Sequence, residues 1–199
     1  MSRDQEPIPS GENTPPFLTI DQLEQVRSSF TFEDFNIVTP STGEPYLVIT
    51  VPKKISPLVD HALKRAKEVA FNTVKEAGSN TFQDPDFSED EQADLREVWS
   101  ELYLPTLQAA NTMLLYSTLS HILLFARNGA EINAFERVKT SSRQDFDLAY
   151  GEVRKKRDAI GDLMFKRNRY MVYNGEEVIY KTPADLENPY PPSYLGRQN

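Results

Sequence analysis

Residues 102–126 form a run of 25 positions without a single charged side chain. A helix of that length can cross a bilayer. This run, however, holds Pro105, Gln108, Asn111, Thr112, Ser117, Thr118, Ser120 and His121, polar groups that suit a helix inside a soluble protein better than one facing lipid. It is therefore expected to be a central helix, covered on most sides by the rest of the chain. Ser88-Glu89-Asp90-Glu91 supplies its start, because a Ser followed three residues later by Glu satisfies two orphan amides, and acids favour the positive end of the helix dipole. Pro105 is expected to bend or break the helix, and Gly129 to stop it just after Arg127.

Two further long helices flank this one. Ser56-Pro57 is a good helix start and Gly78 a plausible left-handed stop. Between them Val59, Leu63, Ala66, Ala70, Thr73 or Val74, and Ala77 recur every three or four residues, which predicts one buried stripe facing a neighbouring helix. A last helix begins near Ser141 or Ser142, carries Phe146, Ala149, Val153, Ile160, Leu163 and Met164 on one face, and ends around Tyr170. Thr19 and Gln22 form a capping pair for a short amphipathic helix that reaches about Phe30, followed by a turn.

Strand signals are few. Tyr46–Val51 is β-branched and aromatic and stops at Pro52. Residues 170–180 give two strand-like runs about Asn174-Gly175, the strongest short hairpin signal. A three-stranded sheet of the hairpin and Tyr46–Val51 is expected, since a two-stranded ribbon alone is marginal. The fold class is mainly α: an irregular bundle of three long helices, about 57–77, 89–127 and 142–169, with a small β element. The helical domain spans 19–182. Residues 1–18 and 183–199, each rich in proline, read as extended arms.

Chemistry is sparse. The chain lacks cysteine, and its two histidines, His61 and His121, have no second histidine three or four residues away. Neither of the common phosphate-cradling glycine loops occurs, and there is no nucleophile elbow. Asp84-x-Asp86-x-Ser88-x-Asp90 resembles half a calcium loop, but Glu89 stands where a turn glycine is needed and Leu95 where a bidentate acid is needed. No enzyme activity, cofactor or metal is expected. The formal charge of -8, with 18 acidic against 9 basic residues in 1–100, argues against a specific nucleic-acid partner, incidental contact aside. The N-terminus has no apolar signal segment, so synthesis in the cytoplasm is expected, without a membrane partner.

Two segments are candidates for binding partner proteins. Arg154, Lys155, Lys156 and Arg157 form a basic run that spreads right round a helix, so it meets solvent and acidic neighbours, the acidic 84–101 segment among the candidates, rather than one flat phosphate face. In the tail, Tyr190, Pro191, Pro192, Tyr194 and Leu195 are suited to docking on a neighbouring subunit, and Pro191 to Tyr194 also match the PPxY pattern that WW domains bind. The leading expectation is a non-enzymatic structural subunit of a large homo-oligomeric assembly, and the alternative is an adaptor that binds a partner through its proline-rich tail. Helical bundle, inserted β element and extended C-terminal tail are similar in outline to the head-to-tail connector (neck adaptor) proteins of tailed bacteriophages. That resemblance is one of architecture, and it implies a place in the virion.

Overall fold

A computed structural model describes residues 17–82, 87–139, 143–165 and 170–181. Four helices carry most of the chain: α1 (Ile20–Ser29), α2 (Ser56–Phe82), α3 (Glu89–Lys139) and α4 (Arg143–Phe165). A sheet of four antiparallel strands completes it, β1 (Phe35–Val38), β2 (Tyr46–Thr50), β3 (Tyr170–Tyr173) and β4 (Glu177–Lys181), in the order β1-β2-β4-β3. The mainly helical class read from the sequence holds. The arms, 1–16 and 182–199, lie outside the described residues, as do Ser141 and Ser142.

Local chemistry sets the helix starts. Thr19 accepts from the Gln22 amide at 3.3 Å while Gln22 Oε1 accepts from the Thr19 amide at 2.9 Å, closing the capping box of α1. Ser88 and Glu91 do the same for α3, with Glu91 Oε2 accepting from the Ser88 amide at 2.8 Å and from its hydroxyl at 2.7 Å. These bonds favour the ionised carboxylate and hold the Glu91 pKa below its ordinary value, the backbone bond first.

The stops differ from expectation. Gly78 does not end α2, which runs on to Phe82, and Gly129 does not end α3, which runs unbroken for 51 residues through Pro105 to Lys139. Both glycines answer to packing rather than to backbone angle. A Cβ on Gly78 would fall 2.3 Å from Trp99 Nε1 of α3, and one on Gly129 would fall 1.8 Å from the Arg27 carbonyl oxygen of α1. Pro105 is tolerated because it sits on an exposed face, as does Glu101, whose carbonyl loses its helical partner there and is left to water. The last helix is described only to Phe165, short of Tyr170.

The sheet has one strand more than the sequence suggested. Residues 31–45 hold a single 3₁₀ turn (Phe32–Asp34) and then β1, which pairs with β2 so that Phe35 faces Ile49 and Val38 faces Tyr46. The expected long-range pairing of β2 with the hairpin is present, and it falls on β4, with Leu47 opposite Tyr180 and Thr50 opposite Glu177. In the β3–β4 turn Gly175 takes φ +99°, and Asn174 Oδ1 accepts from the amides of Glu176 and Glu177 at 3.0 and 2.7 Å.

One core unites these parts. Leu47, Ile49, Met171, Val178 and Tyr180 of the sheet pack with Phe30, Phe35 and Val26, with Val59 and Ala62 at the start of α2, with Leu119, Ile122, Leu123, Ala126 and Ala130 of α3, and with Ile160 and Met164 of α4. The core meets the uncharged run only in its second half. From Leu115 to Ala130 α3 is mostly buried or half-buried, whereas every residue from 96 to 113 is exposed or half-buried, so the expectation of a central helix covered on most sides holds only for the second half of the uncharged run. Gly129→Ala should cost about 1–3 kcal/mol or more, since α1 must move off α3. Gly151→Ala, where a Cβ meets nothing within 4 Å in the middle of α4, should gain about 0.5–1 kcal/mol; denaturant melts of the two variants measure both.

Candidate interaction surface

Among the described residues, the second half of α2 and the first half of α3 pack mainly on each other. Ala62, Ala66, Ala70, Val74 and Gly78 recur every four residues on α2 and are all buried, which brings the two backbones close. The stripe read from the sequence is therefore right at Val59, Ala66, Ala70 and Val74. Ala62 and Gly78 replace Leu63 and Ala77 in it, and Thr73 is exposed. On α3 Trp99 lies against Gly78 and Tyr103 is edge-on to Trp99 with centroids 6.2 Å apart, and Leu107, Leu114 and Thr118, half-buried or buried, fall on the same face at 100° per residue. On α2 the main core cluster ends at Ala62, with Leu63 packed against it, and on α3 it begins at Leu119, so among the described residues the rest of this pair forms a two-helix arm outside the core.

The back of that arm is apolar and open. Val98, Leu102, Pro105, Ala109, Met113 and Tyr116 are all exposed, with Leu102 at 51% and Met113 at 67%. At 100° per residue they fall within an arc of about 80°, on the side of α3 turned away from α2. Acids cluster at the outer end: Glu89, Asp90, Glu91, Asp94, Glu97 and Glu101 against Arg96 alone. The expectation of a helix covered on most sides does not anticipate this seam. Its signal was present as a second apolar stripe opposite the Trp99–Leu107–Leu114 stripe.

The four basic residues of the 154–157 run on α4 are occupied within the chain. Arg154 lies 5.9 Å over the Tyr150 ring, Lys155 meets Glu152 at 2.8 Å, Lys156 lies 5.9 Å over the Phe32 ring, and Arg157 bridges Glu131 at 3.1 Å and Asp158 at 2.7 Å. The run does spread round the helix, and among the described residues its partners lie on α4, α3 and the 3₁₀ turn, not in the acidic 84–101 segment. Hydrogen bonds to Glu152 raise the Lys155 pKa, and those to Asp158 and then Glu131 raise that of Arg157. Tyr190, Pro191, Pro192, Tyr194 and Leu195 lie outside the described residues, as do Asp84 and Asp86.

Other chemistry is thin. Among the described residues no three His, Asp or Glu side chains gather as metal ligands. His121 Nδ1 lies 2.7 Å from the Ser117 carbonyl, a bond within its own helix. An open cavity of about 450 Å³ is lined by Arg127, Arg157, Asp158, Gly161, Asp162 and Phe165. Its Arg127 guanidinium lies 5.5 Å over the Phe165 ring, and the buried Nε of Arg127 has no hydrogen-bond partner. α3 is long and apolar enough to cross a membrane by length and composition, with 33% of its most apolar window buried.

Tyr173 fixes the arm to the sheet. Its hydroxyl lies 3.1 Å from Asp60 Oδ1 and 3.0 Å from the Gly175 carbonyl, and Ser56 Oγ donates to that same carbonyl at 3.0 Å, so the first turn of α2 is tied to the β3–β4 turn. Burial first, then the Asp60 charge, push the Tyr173 pKa up from 10.0 to about 12, against a lowering by Ser56. No family model, curated protein or solved structure matches this chain.

The neutral phenol is thus the form the fold prefers. Stability from this site should be fully present below the unfolded tyrosine's value of 10.0 and should be lost as pH rises toward about 12. Tyr173→Phe should cost roughly 0.5–1.5 kcal/mol at neutral pH and should flatten the alkaline decline; urea titrations of both proteins between pH 8 and 12 measure the difference.

Proposed function

We propose that this chain is a non-enzymatic structural subunit of a large protein assembly, in which a compact α/β body carries a projecting helical arm that meets neighbouring subunits. The observation that supports the reading is the exposed apolar seam of α3, Val98 to Tyr116, on an arm that the body leaves uncovered. A contiguous exposed apolar stripe on a folded protein marks a contact surface, whereas scattered apolar residues do not. Lipid fits the seam less well than protein. Gln108 and Thr112 are exposed beside it and six acids crowd its outer end, whereas a spanning helix needs an apolar circumference.

Among assemblies, the head-to-tail connector type of tailed bacteriophages is the member proposed, on the outline of helical bundle, small sheet and C-terminal tail. The basic run at Arg154–Arg157, of which Arg154 and Lys155 are exposed, would stand at the margin of a subunit contact, and the tail with Tyr190, Tyr194 and Leu195 would lace to a neighbour.

Sedimentation of the chain from its native source, with mass spectrometry of the proteins in the same fraction, tests this. A multi-megadalton particle shared with capsid or tail-like proteins is the expected result. A small soluble complex with one partner would remove the assembly reading. Within such a particle, Tyr194→Ala with Leu195→Ala should weaken incorporation while leaving the thermal melt of the isolated chain unchanged.

A further inference from the structure

We infer that the seam of α3 is covered by the same seam of a second copy, the two helices running antiparallel about a two-fold axis near Leu107. The inference rests on the assembly reading and names the partner at this surface. Three features of the seam argue for it. The first is spacing. Val98 and Tyr116 are equidistant from position 107, as are Pro105 and Ala109, while Leu102 and Met113 match to within one residue. A two-fold contact demands that a surface fit itself when turned end to end, and this stripe reads nearly the same in both directions. Large side chains, Val98 and Tyr116 or Leu102 and Met113, then oppose each other toward the ends, and the smaller Pro105 and Ala109 meet at the axis.

The second feature is charge. From 102 to 126 the helix has no charged residue, so the seam offers nothing to a partner chosen by ion pairs along its length and costs no charge desolvation when it meets itself. The outer end breaks the tie between directions. A parallel pair would set Glu91, Asp94, Glu97 and Glu101 beside their own copies, and like charges in register are destabilising.

The third is what the antiparallel register brings together. Extended past Tyr116, the line of the seam passes half-buried Ser120 and then Leu123, which the body buries, before it reaches half-buried Arg127, which the two-fold places level with Phe87 and Ser88 of the other copy. The acidic first turn, Glu89 to Glu91, therefore arrives beside the open cavity in which the Arg127 guanidinium stacks on Phe165 with its Nε unpartnered. Asp158 in that cavity is already held by Arg157, and Asp162 lines it as well. Arg127 is thus the cation left for the incoming acids, since no carboxylate among the described residues lies within ion-pair distance of it.

The chain has no cysteine, so single cysteines report the geometry directly. Val98→Cys and Tyr116→Cys chains, mixed and oxidised, should form a mixed disulfide-linked dimer, while each alone should not. Wild type should sediment as a dimer, and Ala109→Glu should weaken that dimer by about tenfold or more with helicity unchanged. Val98→Cys chains that cross-link to themselves would overturn the antiparallel arrangement. A wild-type chain that stays monomeric at high concentration, with no mixed cross-link, would overturn the pairing altogether. The assembly reading is judged separately, by the native particle: a monomer that still enters a multi-megadalton fraction defeats this inference and leaves that reading standing.

Discussion

A 51-residue helix extends for about 75 Å, far more than a body built from the remainder of this chain can cover, and that length organises everything else. The inner half of α3 must be buried and the outer half cannot be. Leu119, Ile122, Leu123, Ala126 and Ala130 accordingly form the spine of the core, with α1, α4 and the sheet gathered around them. The close approach of α1 is possible only because Gly129 has no side chain to hold its backbone away. Outside the core, α2 is the single described neighbour, and it covers one side of α3 with alanines and leaves the other side bare.

The arm is held in direction by a polar junction at its root. Ser56, Asp60, Tyr173 and the Gly175 carbonyl connect the first turn of α2 to the tip of the β3–β4 hairpin across more than a hundred residues of sequence. A half-buried phenol between a carboxylate and a carbonyl is directional in a way that apolar packing is not, so it sets the angle at which α2 leaves the sheet. The seam is presented outward because α2 shields the opposite face. A contact surface on a rigid helix is then ready before any partner arrives, which lowers the ordering cost of association.

Much of this was legible residue by residue. The capping boxes at Thr19 and Ser88, the Asn174-Gly175 hairpin and the pairing of Tyr46–Val51 with it are local or strongly patterned, and they stand where the sequence put them. The misreadings share a cause. Backbone propensity marks Gly78, Pro105 and Gly129 as helix punctuation, yet each is a packing or exposure feature of an uninterrupted helix, and propensity yields to tertiary context. β1 is not legible in the sequence because Phe35-Asn36-Ile37-Val38 is short, and its strand character comes from the hydrogen bonds β2 offers it.

The sequence by itself determined the helical class, the helix starts and the hairpin, since these depend on interactions among residues a few positions apart. It also determined that 102–126 carries no charge. Which part of that run is core and which part is surface was decided only by the tertiary structure, because burial depends on how far along α3 the other elements reach. The same holds for the basic run at Arg154–Arg157, whose charges are spent on Tyr150, Glu152, Phe32, Glu131 and Asp158. Periodicity can place two apolar stripes on one helix, but only the fold selects which of them the chain covers for itself and which it leaves for another molecule.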